Sequence, residues 1–138
     1  MNPSTAAQPT REPGSSSRGI VPRRTVLLVD DESSVREVTV LFLNRLGFEV
    51  LEAGSADEAL LMARNHPHGI DLLMTDVLLA GGDGRALADK FAKLRPQAGI
   101  LFTSGSEENQ PPEHDRRRFL SKPYLMEDLR RVTHDLLG

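Results

Sequence analysis

The sequence predicts an α/β fold in which five parallel strands form one doubly wound sheet with helices on both faces. Short apolar runs alternate along the chain with segments whose apolar residues recur at helical spacing. The apolar runs are continuous, as is typical of strands that are buried on both faces. Connections between neighbouring parallel strands should therefore be right-handed crossovers.

The strands are the short apolar runs that end in polar or charged residues. They are predicted at about Thr25–Val29, Glu49–Ala53, Asp71–Thr75, Gly99–Thr103 and Phe119–Ser121. Because parallel strands end at the same edge of a sheet, the residues that follow them should lie close together.

The first two helices have apolar stripes and recognisable ends. The first is predicted at Ser33–Leu46, and Gly47 ends it, as a glycine after a helix commonly does. Its stripe consists of Val35, Val38, Phe42 and Leu46. The second opens at Ser55, and Glu58 three residues later forms a capping box. Its stripe consists of Ala56, Ala59, Leu60 and Ala63.

The later helices differ in how clearly they are patterned. The third is predicted at Gly84–Leu94 and the last at Leu125–Leu137. Their inward residues are predicted to be Leu87, Phe91 and Leu94 in the third, and Leu125, Leu129, Val132 and Leu136 in the last. Residues 106–118 contain two adjacent prolines, four acidic residues and three arginines, without an apolar stripe. A fourth helix there would be short or irregular, and a loop is the alternative.

The composition excludes several classes of protein. The 138 residues suit a single domain, and the absence of cysteine excludes disulfides, thiolate metal sites and a cysteine nucleophile. No apolar run approaches the roughly 18–20 residues that span a bilayer, and the N-terminus lacks the apolar core of a signal peptide. The net charge of −3 gives no reason to expect nucleic-acid binding. We therefore expect a cytoplasmic protein without membrane or nucleic-acid partners.

The chain divides into a tail and a domain. Residues 1–24 are rich in Pro, Ser, Gly, Thr and Ala, carry a net charge of +3 and have almost no bulky apolar side chains. Such a segment cannot bury enough surface to offset its ordering entropy, so we expect a disordered tail or linker. Residues 25–138 carry a net charge of −6 and form the predicted domain.

Charged and polar side chains follow four of the predicted strands. Asp30 and Asp31 follow the first strand, Asp76 the third, Ser104 the fourth and Lys122 the fifth. A single aspartate at a strand end is more often a turn or cap residue. Three carboxylates at one edge of a sheet repel one another, however, so a hard cation is needed to keep them ionised. Acidic groups, a hydroxyl and a lysine at one edge predict a site that handles phosphate.

These motifs, in this order, resemble the receiver domain of two-component response regulators. The matching stretches are Val26–Glu32, Thr75–Val77, Thr103–Gly105 and Ser121–Tyr124. The resemblance covers residues 25–138. It implies a flavodoxin-like fold with strand order 2-1-3-4-5, for which a member of this family is a standard example.

The resemblance also implies a chemistry. Asp76 matches the residue that accepts a phosphoryl group from the phosphohistidine of a histidine kinase or a phosphotransfer protein, with Mg2+. By the same analogy Asp31 and Asp76 bind Mg2+ directly, Asp30 binds largely through water, and the backbone carbonyl of Leu78 completes the protein ligands. Such a domain is a signalling phosphoacceptor rather than a conventional enzyme, since it catalyses only its own phosphorylation and slow dephosphorylation.

Four further positions match the family. Lys122 matches the lysine that contacts the phosphoryl oxygens, and the Lys122–Pro123 peptide is expected to be cis. Ser104 matches the switch hydroxyl and Phe119 the switch aromatic. Phosphorylation would draw Ser104 inward, open space for Phe119 and change a protein-interaction surface. Plain burial in the core is the alternative for Phe119.

Two departures from the family pattern lead to further expectations. Leu78, two residues after Asp76, is apolar and cannot position an attacking water, so we expect slow hydrolysis of the acyl phosphate. The interval from Ser104 to Lys122 is shorter than in typical receivers. The usual dimer face near the fourth helix is then incomplete, and we expect a monomer.

Partners and rival functions follow from the same comparison. The donor kinase or phosphotransfer protein is expected to contact the first helix near Val35, Arg36 and Thr39, and a downstream protein target would recognise the switched surface. A stand-alone receiver and the C-terminal receiver of a hybrid histidine kinase both fit the sequence. A phosphatase of the haloacid dehalogenase type is disfavoured because Glu32 stands where a second aspartate is needed. A phosphorylation-independent interaction scaffold is disfavoured because the acidic residues and the lysine are all present.

Overall fold

The structure is a computed structural model that describes residues 23–106, 110–114 and 116–138. Its strands are β1 Thr25–Val29, β2 Glu49–Ala53, β3 Leu72–Asp76, β4 Leu78–Leu79, β5 Gly82–Asp83, β6 Gly99–Ser104 and β7 Arg117–Ser121. Its helices are α1 Ser33–Arg45, α2 Ala56–Asn65, α3 Gly84–Leu94 and α4 Met126–Leu137. Most of the predicted tail, residues 1–22, lies outside the described residues.

The main sheet has five parallel strands in the order β2-β1-β3-β6-β7. When the five long strands are counted along the chain, this is the predicted order 2-1-3-4-5, and the flavodoxin-like prediction is confirmed. Val29 aligns with Ala53 on one side and with Thr75 on the other. The strands therefore end at a common edge, where the candidate residues follow them. The sequence pattern does not predict the small antiparallel pair β4-β5.

Two apolar clusters fill the two faces of the sheet. One lies under α2 and α3, and its largest fully buried members are Phe91, Phe102, Leu27, Leu73 and Leu87. The other lies under α1 and α4, and its fully buried members include Leu43, Leu72, Met74, Leu101 and Leu129. Helices on both faces explain why the strand sequences are continuously apolar.

The helix ends follow the predictions with one difference. Gly47 has a φ of 97°, the left-handed conformation in which glycine commonly ends a helix. Ser55 Oγ accepts a hydrogen bond from the Glu58 N–H at 3.2 Å and caps α2. The Glu58 carboxylate reaches one residue further back than in a capping box and accepts from the Gly54 N–H at 2.8 Å.

The predicted inward faces need correction at three positions. Val38 is 48% exposed, Leu94 39% and Leu125 71%. In α1 the buried residues are Thr39 and Leu43, each one position after a residue of the predicted stripe, Val38 and Phe42. Leu125 stands outside α4 as its N-cap residue, so its side chain does not share the inward face of the helix.

The connection from β6 to β7 is not helical in the residues that are described. Residues 107–109 and 115 of the possible fourth helix lie outside them. Pro111 is buried, and His114 exchanges two backbone hydrogen bonds with Arg117, at 3.1 and 2.9 Å. The Glu113 carboxylate accepts from the Phe119 N–H at 2.8 Å. β7 begins at Arg117, two residues before the predicted start at Phe119.

Candidate functional site

The ends of β1, β3, β6 and β7 bring the predicted site residues to one edge of the sheet. Asp30 follows β1, Asp76 ends β3, Ser104 ends β6 and Lys122 follows β7. One carboxylate oxygen each of Asp30, Asp31 and Asp76 lie within 4.8 Å of one another. The predicted convergence of Asp30, Asp31 and Asp76 is therefore present, and these three residues form the acidic cluster.

Lys122 connects two of these acids. Its Nζ lies 2.8 Å from Asp76 Oδ2 and 3.1 Å from Asp30 Oδ2, and its side chain is only 17% exposed. Burial by itself lowers the pKa of Lys122. The hydrogen bond to Asp76, the charges of Asp30 and Asp76 and the hydrogen bond to Asp30 outweigh that effect and raise its pKa above the ordinary value of 10.5. Lys122 therefore carries a full positive charge at neutral pH.

Backbone donors and a second cation hold the acidic pair in place. Asp30 is 4% exposed, and its Oδ1 accepts from the Glu32 N–H at 2.9 Å. Arg36 Nη1 donates to the Asp30 carbonyl at 2.6 Å, and Arg36 Nε lies 3.2 Å from Glu52 Oε1. Arg36 thus holds the turn after β1 against the neighbouring strand. The sequence pattern gives only an indirect signal for this role, namely an arginine at the end of the first turn of the helix that follows the acids.

The loop after Asp76 is closed by two contacts. The Ala80 N–H donates to Asp31 Oδ2 at 2.6 Å, and the Gly84 N–H donates to the Val77 carbonyl at 2.8 Å. A Cβ on Gly84 would lie 2.0 Å from the Asp76 carbonyl oxygen. Only glycine fits this close approach of α3 to the end of β3. The role of Gly84 is not visible in the sequence, because nothing in the pattern shows that the two backbones meet.

Ser104 and Phe119 lie beside the acidic cluster rather than in it. Ser104 is buried, its Oγ accepts from the Ser106 N–H at 3.1 Å, and its carbonyl accepts from the Lys122 N–H at 2.9 Å. Phe119 is aligned with Phe102 on the neighbouring strand and packs, partly buried, against the cluster under α2 and α3. Ser104 therefore ties the backbone of Lys122 to β6.

The segment after β7 covers one side of the site. The Lys122–Pro123 peptide bond is cis. The Tyr124 hydroxyl lies 2.6 Å from Thr39 Oγ1 and connects this segment to α1. Burial raises the pKa of Tyr124, although its hydrogen bond with Thr39 opposes that effect.

The donor set suits a hard divalent cation. Asp30, Asp31 and Asp76 offer carboxylate oxygens as ligands, and Mg2+ prefers oxygen ligands. Three carboxylates and the Lys122 ammonium leave two negative charges at the site, which one divalent cation balances. The residues present therefore fit Mg2+.

Comparison with known proteins gives consistent matches. The family model described as the response regulator receiver domain matches residues 26–134. Sensor kinase CckA of Brucella abortus (strain 2308) is 32% identical over 117 residues, which cover 82% of this chain and 12% of that protein. The chain spans 12% to 36% of the length of the most similar curated relatives compared with it.

Solved structures show the same architecture. The receiver domain of the hybrid histidine kinase CckA is 37% identical with a TM-score of 0.69, over 81% of this chain and 98% of that one. A CheY-like receiver domain from Methanospirillum hungatei JF-1 is 27% identical with a TM-score of 0.71, over 83% of this chain and 94% of that one. None of the helices in the described part of the chain has the length and hydrophobicity that spanning a bilayer requires.

Proposed function

The chain belongs to the family of response regulator receiver domains, and we propose that it accepts a phosphoryl group on Asp76 in a Mg2+-dependent phosphorelay. Receiver domains are signalling domains that work with histidine kinases and downstream targets. The observation that best supports this role for the chain is the contact of one ammonium, that of Lys122, with both Asp30 and Asp76. An oxygen of Asp76 therefore lies beside a fixed positive charge, which would balance the negative charge of a phosphoryl group transferred to Asp76.

In the proposed phosphoryl transfer the bonds and charges balance, and no proton has to move at Asp76. An Asp76 carboxylate oxygen forms a bond to phosphorus as the bond from phosphorus to the donor's imidazole nitrogen breaks, and that nitrogen keeps the electron pair. The transition state is largely dissociative, so the protein mainly positions groups and balances charge. Lys122 faces the phosphoryl oxygens, and the Ala80 N–H keeps Asp31 turned towards the site.

Receiver domains in general bind Mg2+ at an acidic pocket. Here Asp31 and Asp76 would hold the ion directly, Asp30 largely through water, and the Leu78 carbonyl would supply the remaining protein ligand. When bound, Mg2+ would neutralise phosphoryl charge.

We propose that phosphorylation shifts the population between two arrangements of the β6-β7 edge. The Ser104 hydroxyl, which now accepts from Ser106, turns to a phosphoryl oxygen, and Phe119 moves into the space left beside it. The changed surface binds a downstream protein. The donor is a histidine kinase or a phosphotransfer protein that contacts α1.

The proposal is tested by intact-mass spectrometry after incubation with acetyl phosphate. Wild-type protein should gain one base-labile phosphoryl adduct in Mg2+ and none in EDTA, and Asp76→Asn should gain none under either condition. Asp83→Asn is the matched control, because Asp83 caps α3 outside the acidic cluster and should leave the adduct unchanged. An adduct that persists in Asp76→Asn would refute Asp76 as the acceptor. If no adduct forms even with a phosphorylated histidine donor, the domain acts as a phosphorylation-independent interaction scaffold.

Leu78→Asn should shorten the lifetime of the acyl phosphate by about tenfold, because a side-chain amide can orient an attacking water and leucine cannot. Leu78 is 56% exposed, so the change should leave the fold intact. The measurement is the decay of the phosphoryl adduct by mass spectrometry after acetyl phosphate is removed. Leu61→Asn, at a similarly exposed leucine on α2, is the control. Equal decay in wild type and Leu78→Asn would contradict this role of Leu78.

We further propose a cytoplasmic monomer that is either a stand-alone receiver or the receiver of a hybrid histidine kinase. The likeness to the CckA receiver supports the hybrid origin, and the non-helical described part of the β6-β7 connection supports the monomer. A sedimentation coefficient that stays constant across protein concentration is expected, and a tight dimer would overturn the monomer proposal.

A further inference from the structure

A second recess lies at the other end of the domain. A cleft of about 610 Å³ opens where the approach to β1, the C-terminal end of α1 and the C-terminal end of α4 meet. This is the edge at which the strands begin, whereas the acidic cluster lies at the edge where they end. The cleft is therefore separate from the site proposed for phosphorylation.

The lining of this cleft is strongly cationic. Arg23, Arg24, Arg45 and Arg130 line it, together with His134, and no aspartate or glutamate side chain of the described residues does. Residues 25–138 as a whole carry a net charge of −6. A concave positive surface on an acidic domain concentrates the electric field and attracts small anions.

Backbone carbonyls hold two of these arginines without cancelling their charge. Arg23 Nε donates to the Gly47 carbonyl at 3.1 Å, and Arg24 Nη1 donates to the Leu137 carbonyl at 2.5 Å. Within the part of the chain that the structure describes, no carboxylate forms an ion pair with Arg23, Arg24 or Arg45. Arg130 is different, because it pairs with Glu127.

Capping of helix ends accounts for only part of this charge. The C-terminal ends of α1 and α4 each carry roughly half a negative charge. The combined charge of Arg23, Arg24 and Arg45 exceeds that sum. The cleft therefore retains positive charge after its own helix ends are balanced.

We propose that this cleft binds the phosphate groups of a nucleotide. Arginine guanidinium groups pair with phosphate oxygens through two parallel hydrogen bonds. The Arg45 guanidinium makes no hydrogen bond to another described residue that would compete. The partly buried side chains of Leu46, Phe48 and Leu137 line the same cleft and offer an apolar surface to a base. Its volume falls within the roughly 300–1,000 Å³ of small-molecule sites.

The test is calorimetric titration of the full chain with ATP, AMP and inorganic phosphate, at low salt and without Mg2+. ATP and AMP should bind, each more tightly than inorganic phosphate. Arg45→Gln should weaken ATP binding by about tenfold, the loss of one charged hydrogen-bonding group. Arg64→Gln is the matched control, because Arg64 occupies the last turn of α2 as Arg45 occupies that of α1. It should bind ATP as the wild type does.

Amide chemical shifts should identify the bound region. ATP should move the signals of Gly47, Phe48 and Leu137, and Arg23→Gln should reduce these shifts as well. Shifts confined to the acidic cluster, equal affinity for AMP and inorganic phosphate, or equal losses in Arg45→Gln and Arg64→Gln would each overturn the proposal. Phosphorylation by acetyl phosphate should be unchanged in Arg45→Gln, so this test and the test of Asp76 succeed or fail independently.

Discussion

Lys122→Met is expected to slow Mg2+-dependent phosphoryl incorporation from acetyl phosphate by about 100-fold, the cost of removing one preorganised charge from a transition state. Lys122 Nζ lies 2.8 Å from Asp76 Oδ2, so its charge is already in place before transfer begins. The measurement is the initial rate of adduct formation by intact-mass spectrometry. Lys93→Met is the control, because Lys93 is an exposed lysine in the last turn of α3. A rate that is the same in wild type and Lys122→Met would remove Lys122 from the proposed reaction.

The same lysine should also make stability depend on pH in the alkaline range. A group whose pKa is raised on folding stabilises the fold fully below its unfolded pKa and loses that contribution as pH rises through its folded pKa. The pKa of Lys122 is raised above 10.5, so its contribution is complete at pH 8 and declines above about pH 10.5. Urea unfolding should therefore show a stability difference between wild type and Lys122→Met at pH 8 that shrinks at pH 11. A difference that grows with pH would contradict the direction of this shift.

Gly84→Ala is expected to destabilise the domain by about 3 kcal/mol, at the upper end of the usual cost of overpacking. The new Cβ would lie 2.0 Å from the Asp76 carbonyl oxygen and 3.0 Å from the carbonyl carbon. The second distance is at the lower limit of non-bonded contacts, and the first is far below it. Both atoms belong to the backbone, so neither a side-chain rotation nor a small shift relieves the contact. Because the end of β3 would have to move, phosphoryl incorporation at Asp76 should fall as well.

Gly82→Ala is the matched control for Gly84→Ala. A Cβ on Gly82 would meet only the Ala56 side chain, at an ordinary 3.7 Å, so a change within about 0.5 kcal/mol is expected. Urea unfolding followed by circular dichroism is the suitable measurement, since the chain has no tryptophan and one tyrosine. Equal stability of the two variants would show that the backbones of Asp76 and Gly84 can separate at little cost.

The strands were predictable because burial on both faces leaves a simple signature. Each long strand is a continuous apolar run, and the polar residue after it marks the shared edge of the sheet. Helix faces are harder to assign, because the angle at which a helix lies on the sheet depends on its neighbours. In α1 the buried row includes the polar Thr39, whose hydroxyl is satisfied by Tyr124, while the apolar Val38 is 48% exposed.

The acidic cluster and its lysine were also predictable, since each follows its own strand. The residues that position them were not. Arg36 acts by binding the backbone carbonyl of Asp30. Ala80 acts through its backbone N–H, which binds Asp31, a residue far away in sequence. A pattern of side-chain types cannot reveal a backbone donor, and the requirement for glycine at position 84 appears only once α3 is packed against β3.

The contacts of Glu113 and His114 with β7 have a consequence for behaviour at high protein concentration. β7 is the last strand of the sheet, and the outward hydrogen-bonding groups of such a strand can pair with another molecule and start an aggregate. Here the Phe119 N–H is taken by a carboxylate, and both backbone groups of Arg117 are taken by His114. Three outward-facing backbone groups of β7 are therefore occupied by the chain itself, one of them by a carboxylate, and cannot pair with a further strand.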